Sequence, residues 1–140
     1  MCDFIEEKPV WWKGNGSFAK AKSAFQYGAD AIYCGTGSLS LRSRADVNDD
    51  DLKKTIEYAH SIGKKVYTTI NIYAPDNVYE DIEKQVKMLK DIHVDAIIAS
   101  DGGVIDLIKK IAPEIAIHIS TQANSLSAHS ANFWYKNGAK

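Results

Sequence analysis

At 140 residues, with 45% hydrophobic and 25% charged side chains, the chain has the composition of a globular domain, which excludes a collagen-like, low-complexity or disordered polypeptide. Its 17 basic and 18 acidic residues leave a net charge of -1, which excludes an overall basic nucleic-acid binder though not a local patch. No apolar run approaches the roughly 18 residues of a membrane-spanning helix. Met1 to Val10 also lacks a signal-peptide core, so a cytoplasmic protein without a membrane partner is expected.

The elements follow in chain order. Val10-Trp11-Trp12 is a short apolar run. Ser17 is placed to cap a helix over Phe18 to Tyr27, with Phe18, Ala21, Ala24 and Phe25 on one face and Gly28 ending it. Ala31 to Cys34 reads as a strand closed by Gly35. Asn48 to Asp51 supplies a cap and an acidic first turn for a helix that faces Leu52, Ile56, Ala59 and Ile62 inward and stops at Gly63. Lys65 to Ile72 is rich in β-branched and aromatic residues and reads as a strand. Pro75 and Asp76 open a third helix, whose apolar face is Val78, Ile82, Val86 and Leu89. Asp95 to Ser100 predicts a buried strand, and Gly102-Gly103 leads into a helix with Val104, Leu107, Ile108 and Ile111, ended by Pro113. Ile115 to Ile119 reads as a further strand, and a last helix is expected over about Leu126 to Lys136, closed by Asn137-Gly138.

That pattern is α/β, with about five consecutive βα units and a parallel sheet with right-handed crossovers. Two architectures fit it. A five-stranded doubly wound sheet would be complete at this length, whereas a (βα)8 barrel takes ~250 residues. Gly28-Ala29-Asp30-Ala31-Ile32 is echoed by His93-Val94-Asp95-Ala96-Ile97, and Asn137-Gly138-Ala139-Lys140 looks like the same helix-to-strand junction again. The third junction announces a sixth strand and favours the barrel, with residues 1–140 as one domain forming the N-terminal part of a TIM-like barrel in a longer protein.

Polar residues gather where the strands end, which suits the mouth of a barrel and the crevice of a doubly wound sheet alike. Arg42 and Arg44 follow the strand at Ala31 to Cys34, where two guanidiniums suit a carboxylate or phosphate. Asn71 closes the next strand with an amide that both donates and accepts. Asp101 follows the strand after that, placed to act as a base, to orient a ligand or to cap the helix from Gly102. His118 alternates with Ile117 and Ile119, which turns it toward the lumen, either for acid–base work or as a satisfied core histidine. Gln122 and Asn124 follow within Ser120-Thr121-Gln122-Ala123-Asn124 and complete the set of substrate-binding candidates. No catalytic residue stands out. The chain has no GxSxG elbow for a serine nucleophile and no HExxH for a metalloprotease. Gly35-Thr36-Gly37-Ser38 falls short of a phosphate-binding fingerprint. Cys2 and Cys34 cannot supply a four-cysteine metal or iron–sulfur site within one chain, and a disulfide between them is disfavoured in a reducing compartment.

Taken together, Tyr27-Gly28-Ala29-Asp30-Ala31-Ile32-Tyr33, Leu39-Ser40-Leu41-Arg42, Thr69-Ile70-Asn71-Ile72, Asp95-Ala96-Ile97-Ile98, Ser100-Asp101 and Ile117-His118-Ile119-Ser120-Thr121-Gln122-Ala123-Asn124 resemble the collagenase-like peptidase family, peptidase family U32, over about Ser17 to Lys140. The resemblance implies a TIM-like barrel on the N-terminal side of a longer protein. It also implies either a protease or an oxygen-independent hydroxylation enzyme, acting on peptide or RNA, with an iron–sulfur cluster held by cysteines beyond this stretch. The chain departs from the family at Trp12-Lys13-Gly14-Asn15-Gly16, where a Leu-Ala-Pro-Ala-Gly type run is usual and only Gly16 fits. The alternative is a segment without activity of its own, self-associating into a homo-oligomer through the edge strands that a partial barrel exposes.

Overall fold

The computed structural model describes residues 11–13, 17–40 and 46–140. Strands and helices alternate: β1 (Trp11–Lys13), α1 (Phe18–Gln26), β2 (Ala31–Thr36), β3 (Asp46–Val47), α2 (Asp49–Ser61), β4 (Lys65–Ile70), α3 (Tyr79–Asp91), β5 (Ala96–Ala99), α4 (Gly102–Ile111), β6 (Ala116–Ile119) and α5 (Ala128–Lys136). All pairings between these strands are parallel. Across the sheet the order is β1-β2-β4-β5-β6, with β3 paired to β2. Strand order thus follows chain order, without the reversal that makes the ligand crevice of a doubly wound sheet. The short β3 was not expected from the sequence. It continues the β1 side of β2 upward, pairing Gly35 and Thr36 where β1 pairs Ala31 to Tyr33.

Local chemistry starts and stops the helices as expected. The side chains of Ser17, Asn48, Asp101 and Ser127 accept the amides of Lys20, Asp51, Val104 and Ser130 and so cap α1, α2, α4 and α5. Four helices end in one turn: the amides of Gly28 and Ala29 donate to Phe25 and Ala24, those of Gly63 and Lys64 to His60 and Ala59, those of His93 and Val94 to Lys90 and Leu89, and those of Gly138 and Ala139 to Tyr135 and Trp134. This is the Schellman arrangement, which needs a left-handed residue after the helix. Glycine fills that position at 28, 63 and 138, but His93 holds it at φ 58°. A side chain there costs about 1–2 kcal/mol, part of which glycine's extra chain entropy offsets. His93→Gly is therefore expected to stabilise the fold by about 0.5–1 kcal/mol, read as a higher denaturation midpoint at unchanged m-value.

The two faces of the sheet differ. Ile32, Val66, Ile70, Ile97 and Ile117 face the helices and pack with Leu52, Ile56, Ile82, Val86, Leu89 and Ile108 in one buried core. The opposite face carries a smaller cluster, Ala31, Tyr67 and Ala96 with Tyr33, Ile98 and Ala116 against it. Two expectations are corrected. Ile62 is 43% exposed, because it is the cap residue of α2 and has left the helical face. Leu126 is 84% exposed, because the Ser127 cap starts α5 at Ala128.

Candidate functional site

The carboxyl ends of the strands carry the polar cluster. Asn71 follows β4 and Ser120 follows β6; one step beyond the pairs Ile70↔Ala99 and Ala99↔Ile119, both lie level with Ser100. The Asn71 Nδ2 amide donates to Ser120 Oγ at 3.4 Å and to Gln122 Oε1 at 3.3 Å. Ser120 Oγ donates to Gln122 Oε1, and Thr121 Oγ1 lies 3.5 Å from the same oxygen. β4 and β6 are two strand spacings apart, about 9.5 Å in a flat sheet, so contacts that skip β5 need side chains that lean together over it, as they do on the inner face of a sheet curved toward them. A second contact skips β5 in the same way: the Tyr67 and His118 rings meet edge to face at 5.1 Å. The face bearing Tyr67, His118 and Asn71 is therefore the concave one, as a barrel lumen is, and the expected inward direction of His118 holds.

Below this rim the lumen wall is polar on one side. Thr69 Oγ1 donates to Ser40 Oγ at 3.0 Å, and both residues are buried. Burial raises the Tyr67 hydroxyl above its ordinary value, with the Asp95 charge adding to it, so Tyr67 remains a neutral donor. Burial lowers the His118 imidazole, helped by the positive charge of Lys65. A depressed histidine contributes stability that is present above its unfolded value and is lost as pH falls toward its folded one. The melting temperature is therefore expected to decline from about pH 7.5 to about pH 5 less steeply in His118→Gln than in the parent. Thermal melts of both proteins across that range check it.

The other candidates are placed differently. Asp101 caps α4, its Oδ1 accepting from the Val104 amide at 3.0 Å and from the Tyr79 hydroxyl at 3.1 Å. Of its three sequence readings, the cap is the one the geometry shows. Gly103 lies beside this pair: a β-carbon there would clash with the Tyr79 oxygen. Asn124 takes the left-handed conformation at φ 51°, ψ 44° that closes the turn at Thr121–Ala123, a position asparagine tolerates. Arg42 and Arg44 lie outside the described residues, as does Cys2. Cys34 is buried on the helix-facing side, with its sulfur 3.8 Å from the Tyr67 carbonyl. Sequence reasoning passed over Tyr67, Ser40 and Thr69; for Tyr67 and Thr69 the signal available was their inward alternation along β4.

Beside the rim, a cleft of about 380 Å³ opens between β6 and α5, lined in part by His118, Ile119, Trp134 and Lys140. Next to it Ala139 bridges Ile117 in parallel and the Lys140 amide donates to the Ile117 carbonyl at 2.9 Å, so the third junction does begin a new pairing on β6. No helix among the described residues is long and apolar enough to cross a membrane.

Comparison with known proteins gives the following. The family described as Peptidase family U32 matches residues 16–140. A tRNA hydroxylation protein P of Helicobacter pylori is 41% identical over 127 residues, which are 89% of this chain and 30% of that protein. An uncharacterized protease of Methanocaldococcus jannaschii is 34% identical over 82% of this chain and 28% of its own length. A 23S rRNA 5-hydroxycytidine synthase of Escherichia coli is 31% identical over 82% of this chain and 17% of its own length. Among solved structures, a U32 peptidase superposes with a TM-score of 0.72 at 14% identity, covering 99% of this chain and 59% of that one. A hydroxymethylglutaryl-CoA lyase from Pseudomonas aeruginosa gives 0.61 at 13% identity, covering 95% and 52%. The chain therefore spans about a third or less of the curated relatives, and its fold is the TIM-barrel-like α/β arrangement expected from the sequence.

Proposed function

The chain belongs to peptidase family U32, and from that membership we propose that it is the N-terminal barrel segment of an enzyme that hydroxylates RNA, with the carboxyl rim of the sheet as part of its substrate mouth. The observation that carries this is the convergence of Asn71, Ser120 and Gln122 on the concave face, in a chain 41% identical to a tRNA hydroxylation protein. A rim of amides and hydroxyls suits the donor and acceptor edge of a nucleobase. It offers little to peptide hydrolysis: the Ser120 hydroxyl is engaged with Gln122, and Cys34 faces the helices. Iron–sulfur clusters take about four cysteine thiolates. This chain has 2 cysteines, and among its described residues no three His, Cys, Asp or Glu side chains group as metal ligands. Its donor set does not fit such a cluster, so a hydroxylation centre of that kind would draw its ligands from elsewhere in a longer protein.

The test is a strain deleted for the full-length gene, with tRNA and rRNA nucleosides analysed by mass spectrometry. A nucleoside lighter by one oxygen should replace its hydroxylated form, and the intact gene should restore it. Unchanged nucleosides, together with hydrolysis of gelatin by the purified full-length protein, would overturn the reading in favour of proteolysis.

A further inference from the structure

Gln122 is held in one orientation. Its Oε1 accepts from the Ser120 hydroxyl and from Asn71 Nδ2, with the Thr121 hydroxyl as a third donor at 3.5 Å. Turning this amide over would set its N–H bonds against those of Asn71 and require both hydroxyls to reverse from donor to acceptor, which favours the orientation with Oε1 inward. The two N–H bonds of Nε2 therefore point away from the cluster, on an exposed side chain at the concave rim.

Asn71 is the remote member of this lock. It lies 51 residues from Gln122 in sequence and reaches it across the end of β5. Its backbone is fixed as well, its amide donating to the Leu39 carbonyl at 3.2 Å. Ser120 is buried and stands two residues after His118, so the lock sits directly above the Tyr67–His118 pair.

From this we propose that Gln122 is a preset hydrogen-bond donor that directs an Nε2 N–H at a trigonal oxygen of the substrate, either a nucleobase carbonyl or a carboxylate, and that Asn71 is the positioning residue that fixes its direction. This deepens the reading of the rim as a substrate mouth, and rests on it. A donor already aimed loses no rotamer freedom on binding, and it rejects a ligand that offers N–H at that point.

The probes are uridine, for the neutral carbonyl, and acetate, for the carboxylate. Each is titrated into the 15N-labelled chain while the Gln122 side-chain resonances are followed. At least one is expected to shift them saturably. Gln122→Glu keeps the acceptor oxygen but replaces both donors, and is expected to weaken that binding about tenfold, with the melting temperature little changed. Asn71→Asp removes the lock and is expected to weaken it about threefold, while Asn71→Gln, which retains an amide donor, recovers part of the loss. A shift with uridine alone assigns a base carbonyl; a shift with acetate alone assigns a carboxylate. No shift with either, or equal binding by Gln122→Glu, overturns the proposal. The functional reading fails separately. Unaltered RNA in the deletion strain with an intact Gln122 titration rejects hydroxylation alone, and full restoration by a Gln122→Glu gene rejects the donor alone.

Discussion

Ile97→Ala is expected to cost about 3 kcal/mol of folding free energy, against about 1 kcal/mol for Ile98→Ala. The two residues are adjacent on β5 but project to opposite faces. Ile97 is fully buried in the helix-facing core, between its register partners Thr68 and Ile117. Its truncation would lose the transfer energy of the removed carbons and leave a cavity that the packed helices cannot fill. Ile98 lies on the concave face, only partly buried beside Tyr67 and Ala96, so truncation there leaves less of a void. Denaturant titration of both variants measures the difference. Equal losses would mean that the two faces are equally packed.

Asp95→Ala ranks second, at about 2 kcal/mol. The Asp95 carboxylate accepts the Val66 amide at 2.8 Å and stands 3.1 Å from the His60 imidazole nitrogen. The Asp95 amide in turn donates to the Val66 carbonyl at 3.2 Å, so one residue fastens the start of β5 to the start of β4 from both ends. Val66 is fully buried, and removing its acceptor would leave a donor with no route to water. Asp95→Asn keeps an acceptor oxygen and is expected to lose about half as much. Amide hydrogen exchange at Val66 gives the local readout: it should quicken strongly in the alanine variant and mildly in the asparagine one. Unchanged exchange would assign the stability loss to something other than this bond.

The helices were legible because their information is local. Ile82, Val86 and Leu89 recur at helical spacing, and all are fully buried. The caps at Ser17 and Asn48 and the glycines at 28 and 63 could be read without knowing what lies across the sheet. The errors fell at the ends. At Ile62 the apolar period runs one residue past the last helical turn, and at Leu126 an apolar residue precedes a serine cap that sets the true start. β3 escaped notice because two residues carry no period, and their pairing depends on where β2 presents a vacant edge. For the site, the sequence marked Asn71, His118 and Gln122 as strand-end polar residues, but not their partners. The Asn71–Gln122 bond spans 51 residues, and the Tyr67–His118 contact joins two strands that are not neighbours in the sheet. The shape of a sheet accumulates from the twist of all its strands together, and no single segment encodes it. Asp101 had three readings that residue type alone could not separate; the bond from the Val104 amide shows the cap, and the Tyr79 hydroxyl, from the preceding helix, holds the same oxygen.

The agreement of strand order with chain order bears on how the polypeptide acquires its shape. From β2 onward, each long strand docks on the one made just before it, and four of the helices hand over through the same turn. A ribosome delivering this chain would release each βα unit beside a surface already formed, so from β2 onward each long strand meets its first partner at once. Growth would proceed from one end, and the edges open to aggregation at any moment would be the newest strand and the first. Order along the message then becomes order of assembly.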